Sequence, residues 1–114
     1  MTRPDAPSDL ERFFGAGDIA PGTGKAFFVG RYDVAVFNVG GKLFALENSC
    51  PHQGGPLSDG WLEESVVTCP WHGWCFNVRT GKMTLGEFAR VPRFAVHRDG
   101  ADLLIGTEPL TELP

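Results

Sequence analysis

The sequence predicts an all-β fold, an antiparallel sandwich or barrel, from three observations. Fifteen glycines and nine prolines among 114 residues are too many breakers for long helices. The apolar residues come in short runs rich in valine and phenylalanine, which suit pleated, half-buried surfaces better than helix faces. Turn signals separate these runs every eight to twelve residues or so, the spacing of a sandwich or barrel. The chain has 42% hydrophobic and 21% charged residues at 12.4 kDa, a composition that supports one modest core and one domain over residues 1–114.

The elements follow in order. Residues 1–9 read as a loose tail, and 10–14 (Leu-Glu-Arg-Phe-Phe) as a first strand. Residues 18–24 form a turn-rich link, because Pro21 and the glycines at 22 and 24 break any helix. A strand over 25–29 turns at 30–33 into 34–39, where three valines, Ala35 and Phe37 suit a strand covered on both faces. Gly40-Gly41 is a hairpin signal, and 42–47 is the return strand. Apolar periodicity stops between Asn48 and Gly60. Residues 61–64 read as a further turn, and 65–68 as a short strand feeding Cys69. Residues 76–79 and 82–84 flank Thr80-Gly81 as a small hairpin, and 93–98 and 101–105 are joined by Asp99-Gly100, a strong hairpin signal. The organisation is nested: strands before residue 48 and after about residue 90 form a base, and the segment at about 48–85 is carried on it.

Charge and processing signals narrow the classes. A net charge of −4 offers phosphate no basic stripe, so nucleic acid is not the expected partner, and a protein partner would present a basic face. The first ten residues lack the order of a signal peptide, and no apolar run approaches membrane-spanning length. Three cysteines without an export signal point to metal or redox chemistry in a reducing compartment, with the cytoplasm as the expected location.

The inserted segment holds the chemistry. Cys50-Pro51-His52 and Cys69-Pro70-Trp71-His72-Gly73-Trp74 each pair a cysteine with a nearby histidine in a Gly/Pro-rich loop. Two thiolates and two imidazoles from two loops are a metal-ligand set. Three readings are open at this point. Cys50 and Cys69 can be small buried residues with His52 and His72 as polar loop residues, but two such pairs sixteen residues apart are hard to ascribe to chance. A structural zinc site uses the same donors, yet usually pairs Cys with Cys and His with His at close spacing. A [2Fe–2S] cluster in which His₂ replaces Cys₂ on one iron takes one of each from each loop, and the surrounding glycines leave backbone N–H groups free for its sulfides.

Through these two loops, and the trailing Phe76-Asn77-Val78-Arg79-Thr80-Gly81, the chain resembles the Rieske ferredoxin family from about Asp18 to Ile105. The resemblance implies a Rieske fold, an antiparallel β-sandwich base with a small cluster-binding subdomain of two loops, and one [2Fe–2S] cluster per chain. It implies that Cys50 and Cys69 hold the inner iron, and that His52 and His72 hold the outer one through Nδ1 with their Nε2 atoms toward solvent. The family consists of soluble electron carriers of bacterial aromatic-ring oxygenase systems. The implied role is therefore one-electron transfer from a flavin-containing reductase to a terminal oxygenase, by a monomer that meets both partners transiently and turns over no substrate itself. The alternative within the same fold is the small Rieske-like subunit of an assimilatory nitrite reductase.

Charge counting adds a redox expectation. Two ferric irons, two sulfides and two thiolates sum to zero, so an added electron meets less repulsion than in an all-cysteine cluster. High-potential Rieske proteins of respiratory complexes carry one extra cysteine in each ligand loop, joined as a disulfide, at positions held here by Gly55 and Trp71. They also place hydroxyl donors to the cluster sulfurs where this chain has Trp74 and Phe76. Fewer donors to sulfur stabilise the reduced state less, so the expected potential lies near the low end of the family range, about −150 mV.

The remaining residues carry blander expectations. Cys75 is expected to pack behind the second loop as a small residue rather than act as a sensor. Trp71 and Trp74 are expected to exclude water and brace the loop, with partner contact as a second role. His97 is expected to be an exposed strand histidine, and Asp59, Glu63 and Glu64 a solvated acidic face. No nucleophilic triad, phosphate loop or acid–base pair is visible in the sequence.

Overall fold

The computed structural model describes residues 10–49, 55–71, 73–84 and 90–110. Its strands are β1 (Leu10–Phe13), β2 (Gly24–Val29), β3 (Tyr32–Val39), β4 (Lys42–Glu47), β5 (Trp61–Glu63), β6 (Val66–Thr68), β7 (Cys75–Asn77), β8 (Arg93–Phe94), β9 (Val96–Asp99) and β10 (Asp102–Gly106). A single 3-10 turn, Leu57–Asp59, precedes β5. All strand pairs are antiparallel. Three sheets result, in the orders β1-β10-β9, β2-β3-β4-β8 and β5-β6-β7.

The four-stranded sheet is the middle layer, and β3 shows why. Residues Val34 through Asn38 are all buried, so both faces of this strand are covered. Ala35 and Phe37 face one core, with Leu46, Leu57, Val67, Cys69, Phe76 and Val78. Val34 and Val36 face the other, with Val29, Ala45, Phe94, Leu103 and Ile105. Period-two alternation thus divides one strand between two cores: the first joins the middle sheet to β5-β6-β7, the second joins it to β1-β10-β9. Full burial of a Val or Phe side chain stabilises by about 1.5–3 kcal/mol, so β3 contributes to both interfaces at once.

The predicted base is present: β1 to β4 and β8 to β10 make the two outer-numbered sheets, and residues 57–84 add the third. Three local predictions change. The run at 93–98 is two strands, because the chain leaves the middle sheet at Ala95. Phe94 pairs with Ala45 in β4, whereas Val96 pairs with Ile105 in β10. Such a corner lets one segment serve two packed sheets. Residues 61–63 are a strand rather than a turn. Leu62 points inward between exposed Trp61 and Glu63, and the turn itself is Glu64-Ser65, with Glu64 at φ 55°. The small hairpin begins at Cys75, and its return is a single bridge, Phe76 to Met83, followed by a bridge from Lys82 to Arg90.

Polar staples complete the frame. Arg12 on β1 donates from Nη1 to Asp102 Oδ2 at 2.8 Å and from Nη2 to Asp99 Oδ2 at 2.9 Å, tying the edge strand across the β9–β10 hairpin. The Gly15 N–H donates to Asp102 Oδ1 at 2.9 Å. This backbone bond, and then Arg12, hold the Asp102 carboxyl below the ordinary carboxylate range. Buried Asn38 donates from Nδ2 to the Ile19 carbonyl at 2.6 Å and accepts the Gly41 N–H at 2.8 Å, fastening the β3–β4 turn to the 18–24 link.

Two predictions follow from these contacts. A carboxylate depressed in the fold stabilises above its unfolded pKa, and that contribution is lost as pH falls through the folded value. Asp102→Asn should therefore lower the unfolding midpoint at pH 7, and the gap from wild type should close in acid, below about pH 4; denaturant titrations across pH 2–7 measure it. Gly81 has φ 78°, and a Cβ there would strike the Val91 carbonyl oxygen. Gly81→Ala should cost at least about 2 kcal/mol in urea unfolding.

Candidate metal centre

The first ligand loop leaves β4 at Glu47 and returns at the 3-10 turn. Its outgoing foot is Asn48, buried at the end of the strand. The Asn48 N–H donates to the Asp33 carbonyl at 2.7 Å, and its side chain reaches across to Ser58. The incoming foot is anchored by Leu57, which has no exposed surface and lies in the core shared with Phe37 and Val67. Gly60 closes the turn by donating to the Leu57 carbonyl at 2.9 Å.

The second loop is pinned by its own backbone. The Cys69 N–H donates to the Trp74 carbonyl at 2.7 Å, and the Gly73 N–H donates to the Cys69 carbonyl at 3.1 Å. These bonds extend the β6–β7 pairing past Thr68 and Cys75, so the loop projects from the end of a ladder rather than from a free strand. Gly73, at φ 77°, supplies the left-handed residue that turns the chain back.

Of the four predicted ligands, Cys69 lies within the described residues; Cys50, His52 and His72 lie outside them. Cys69 is a free thiol, 2% exposed, in the core between the middle sheet and the ligand-bearing sheet. Gly55, at the return of the first loop, lies against it: a Cβ there would sit 2.8 Å from Cys69 Sγ. The two loops therefore meet at this thiol. Among the described residues no three His, Cys, Asp or Glu side chains converge, and the predicted set includes only one of them.

The positions used for the redox expectation are neighbours in space. A Cβ on Gly55 would lie 3.0 Å from Trp71 Cγ, so Gly55 and Trp71 face each other across the loops. Trp71 keeps 56% of its surface exposed, which makes it a poor shield on its own. Trp74 is half-buried, packs on the same core as Cys69, and tilts against Phe76 with ring centroids 6.5 Å apart. Phe76 is fully buried.

Cys75 faces away from this point. Its Sγ lies 3.4 Å from Thr68 Oγ1 and 3.5 Å from the Gly73 carbonyl, on the β6–β7 ladder. His97 is exposed on β9, opposite Leu104, far along the chain from both loops. Asp59, Glu63 and Glu64 are exposed as expected. Sequence reasoning missed Asn48 and Ser58, which hydrogen-bond each other from the two ends of the first loop. The only signal for them was their position at its two ends.

These loops and this base have known counterparts. The Rieske [2Fe-2S] domain family model matches residues 12–95. The chain belongs to the Rieske [2Fe–2S] domain family. It is 39% identical over 100 residues to the ferredoxin component of biphenyl 2,3-dioxygenase from Rhodococcus jostii, covering 87% of this chain and 94% of that one. Its structure is similar to the ferredoxin of carbazole 1,9a-dioxygenase from Nocardioides aromaticivorans, with TM-score 0.73 and 33% identity over 79% of this chain and 89% of that chain. A chain in the complex of reduced oxygenase and oxidized ferredoxin of carbazole 1,9a-dioxygenase superposes with TM-score 0.80 and 31% identity, covering 90% and 97%. These relatives are electron-transfer components rather than catalysts, and they do not favour the nitrite reductase alternative.

The family's cofactor is a Rieske-type [2Fe–2S] cluster, and the local chemistry fits it. Cys69 offers a sulfur donor shielded from water, and the lack of a side chain at Gly55 keeps the space beside that sulfur open. The described residues include no helix long and apolar enough to cross a membrane.

Gly55→Ala tests this open space. The added methyl must displace Cys69 Sγ or the Trp71 ring, at a cost of about 1–3 kcal/mol. Iron and acid-labile sulfide per chain should fall relative to wild type in parallel purifications, together with the denaturation midpoint.

Proposed function

We propose that this protein is the ferredoxin of an aromatic-ring oxygenase system, carrying single electrons from a flavin-containing reductase to a terminal oxygenase. The observation that carries this reading is the match to the biphenyl 2,3-dioxygenase ferredoxin over 94% of that protein's length. That relative is a ferredoxin from end to end, not an oxygenase with a similar domain. The whole chain then acts as one domain, in the cytoplasm, as a monomer that docks transiently.

Cys50 and Cys69 are the proposed ligands of the inner iron, and His52 and His72 those of the outer one. When bound, the cluster gains and loses one electron at a time. The residues of the chain do the rest. Burial of Cys69 keeps water from the inner thiolate. Trp71, on the loop that carries His72, presents an exposed aromatic surface to a partner. The net charge of −4 favours partners with a basic docking face.

The test is low-temperature EPR with a redox titration. The dithionite-reduced protein should give a rhombic signal of lower average g than an all-cysteine cluster, with a midpoint near the low end of the family range, about −150 mV. Cys50→Ser and His72→Ala should each abolish or alter that signal. A clearly positive midpoint, an unchanged spectrum in His72→Ala, or a colourless protein holding one zinc would each count against the reading.

A further inference from the structure

We infer that Asn48 is a positioning residue for the metal centre, an amide clasp that fastens the first ligand loop shut through Ser58 and Asp33. This inference rests on the ligand assignment proposed above, since the loop it closes is the one that carries Cys50 and His52.

The clasp uses every polar atom of the Asn48 side chain. Oδ1 accepts the Ser58 N–H at 2.7 Å. Nδ2 donates to Ser58 Oγ at 3.0 Å and to Asp33 Oδ1 at 3.3 Å. With the backbone bond from the Asn48 N–H to the Asp33 carbonyl, both feet of the loop are tied to the start of β3. Asn48 is 5% exposed, so little water competes for these bonds.

Only a neutral amide fits this place. It must accept from a backbone N–H on one side and donate toward a hydroxyl and a carboxylate on the other. An aspartate would keep the acceptor, lose both donors and face the Asp33 carboxylate directly. Among the described residues two polar side chains are buried in the fold, Asn38 and Asn48. They do different work. Asn38 ties together parts of the base alone, through Ile19 and Gly41. Of these two, Asn48 is the one that connects the base to the first loop. Groups that hydrogen-bond metal ligands directly change metal affinity about 10–100-fold when removed, and Asn48, one step further back, is expected at the low end of that range.

The experiment measures release of iron from the oxidised holoprotein to a chelator, well below the unfolding temperature, with EPR of the reduced forms. Asn48→Asp should release iron about tenfold faster than wild type and shift the reduced g values. Ser58→Ala, which removes a single bond, should have a smaller effect of the same sign. The double variant D33N/N48D restores a donor–acceptor pair across the same gap and should return release to within about twofold of wild type. Asn38→Ala should lower the unfolding midpoint yet leave release and g values near wild type. The inference is overturned if Asn48→Asp releases iron at the wild-type rate, if the double variant is no better than Asn48→Asp, or if Asn38→Ala releases iron as fast. Amide hydrogen exchange at Ser58 separates this from failure of the ligand assignment. A wild-type protein without an iron–sulfur cluster overturns that assignment, whereas unchanged Ser58 exchange in Asn48→Ala, which removes the acceptor of the Ser58 N–H, overturns the clasp whatever metal is present.

Discussion

The fold depends on a single strand buried on both faces. Because side chains alternate along β3, Ala35 and Phe37 seal one core while Val34 and Val36 seal the other. Neither outer sheet could bury its apolar face without this middle wall. β5-β6-β7 has three strands of three residues each, and its apolar face needs a cover. Its order comes from packing on the middle sheet through Val67, Phe76 and Val78. The sheet beneath the second loop is therefore ordered by β3, whose Ala35 and Phe37 share a core with Cys69.

The two ligand loops inherit that order by different physics. The second is an extension of a ladder, held by backbone bonds at Cys69 and Gly73 that depend little on side-chain identity. The described ends of the first lie at β4 and at the 3-10 turn before β5. It is held by one apolar anchor, Leu57, and one polar clasp, Asn48 with Ser58 and Asp33. Where the loops meet, Gly55 gives up a side chain so that Cys69 Sγ has room. A centre that exchanges electrons without rearranging needs both supports, since ligands on loosely held loops would move with each change of charge.

Much of the fold was legible because its signals were local. Gly40-Gly41 and Asp99-Gly100 each marked a hairpin, and the 34–39 run, apolar but for Asn38, announced a strand covered on both sides. The failures have equally specific causes. The run 93–98 looks continuous because nothing in Arg-Phe-Ala-Val-His-Arg says that its two halves pair with different sheets. Trp61-Leu62-Glu63 looked like a turn because a three-residue strand shows only one inward side chain. Asn48 was illegible as a clasp because its partners lie ten and fifteen residues away, and an asparagine at a strand end is ordinary by itself.

By itself the sequence determined the family and offered the proposed donor set. A cysteine and a histidine in each of two Gly/Pro loops is a covalent inventory that needs no folding to be read, and the residue types at Gly55, Trp71, Trp74 and Phe76 could be read beside it. The tertiary structure decided what surrounds that inventory. It brought Gly55 against Cys69 and Trp71, turned Cys75 toward Thr68, and fastened the foot of one loop to a strand fifteen residues earlier. The reason is physical: donor chemistry belongs to individual residues, whereas close approach and burial arise only when distant segments pack against a shared wall.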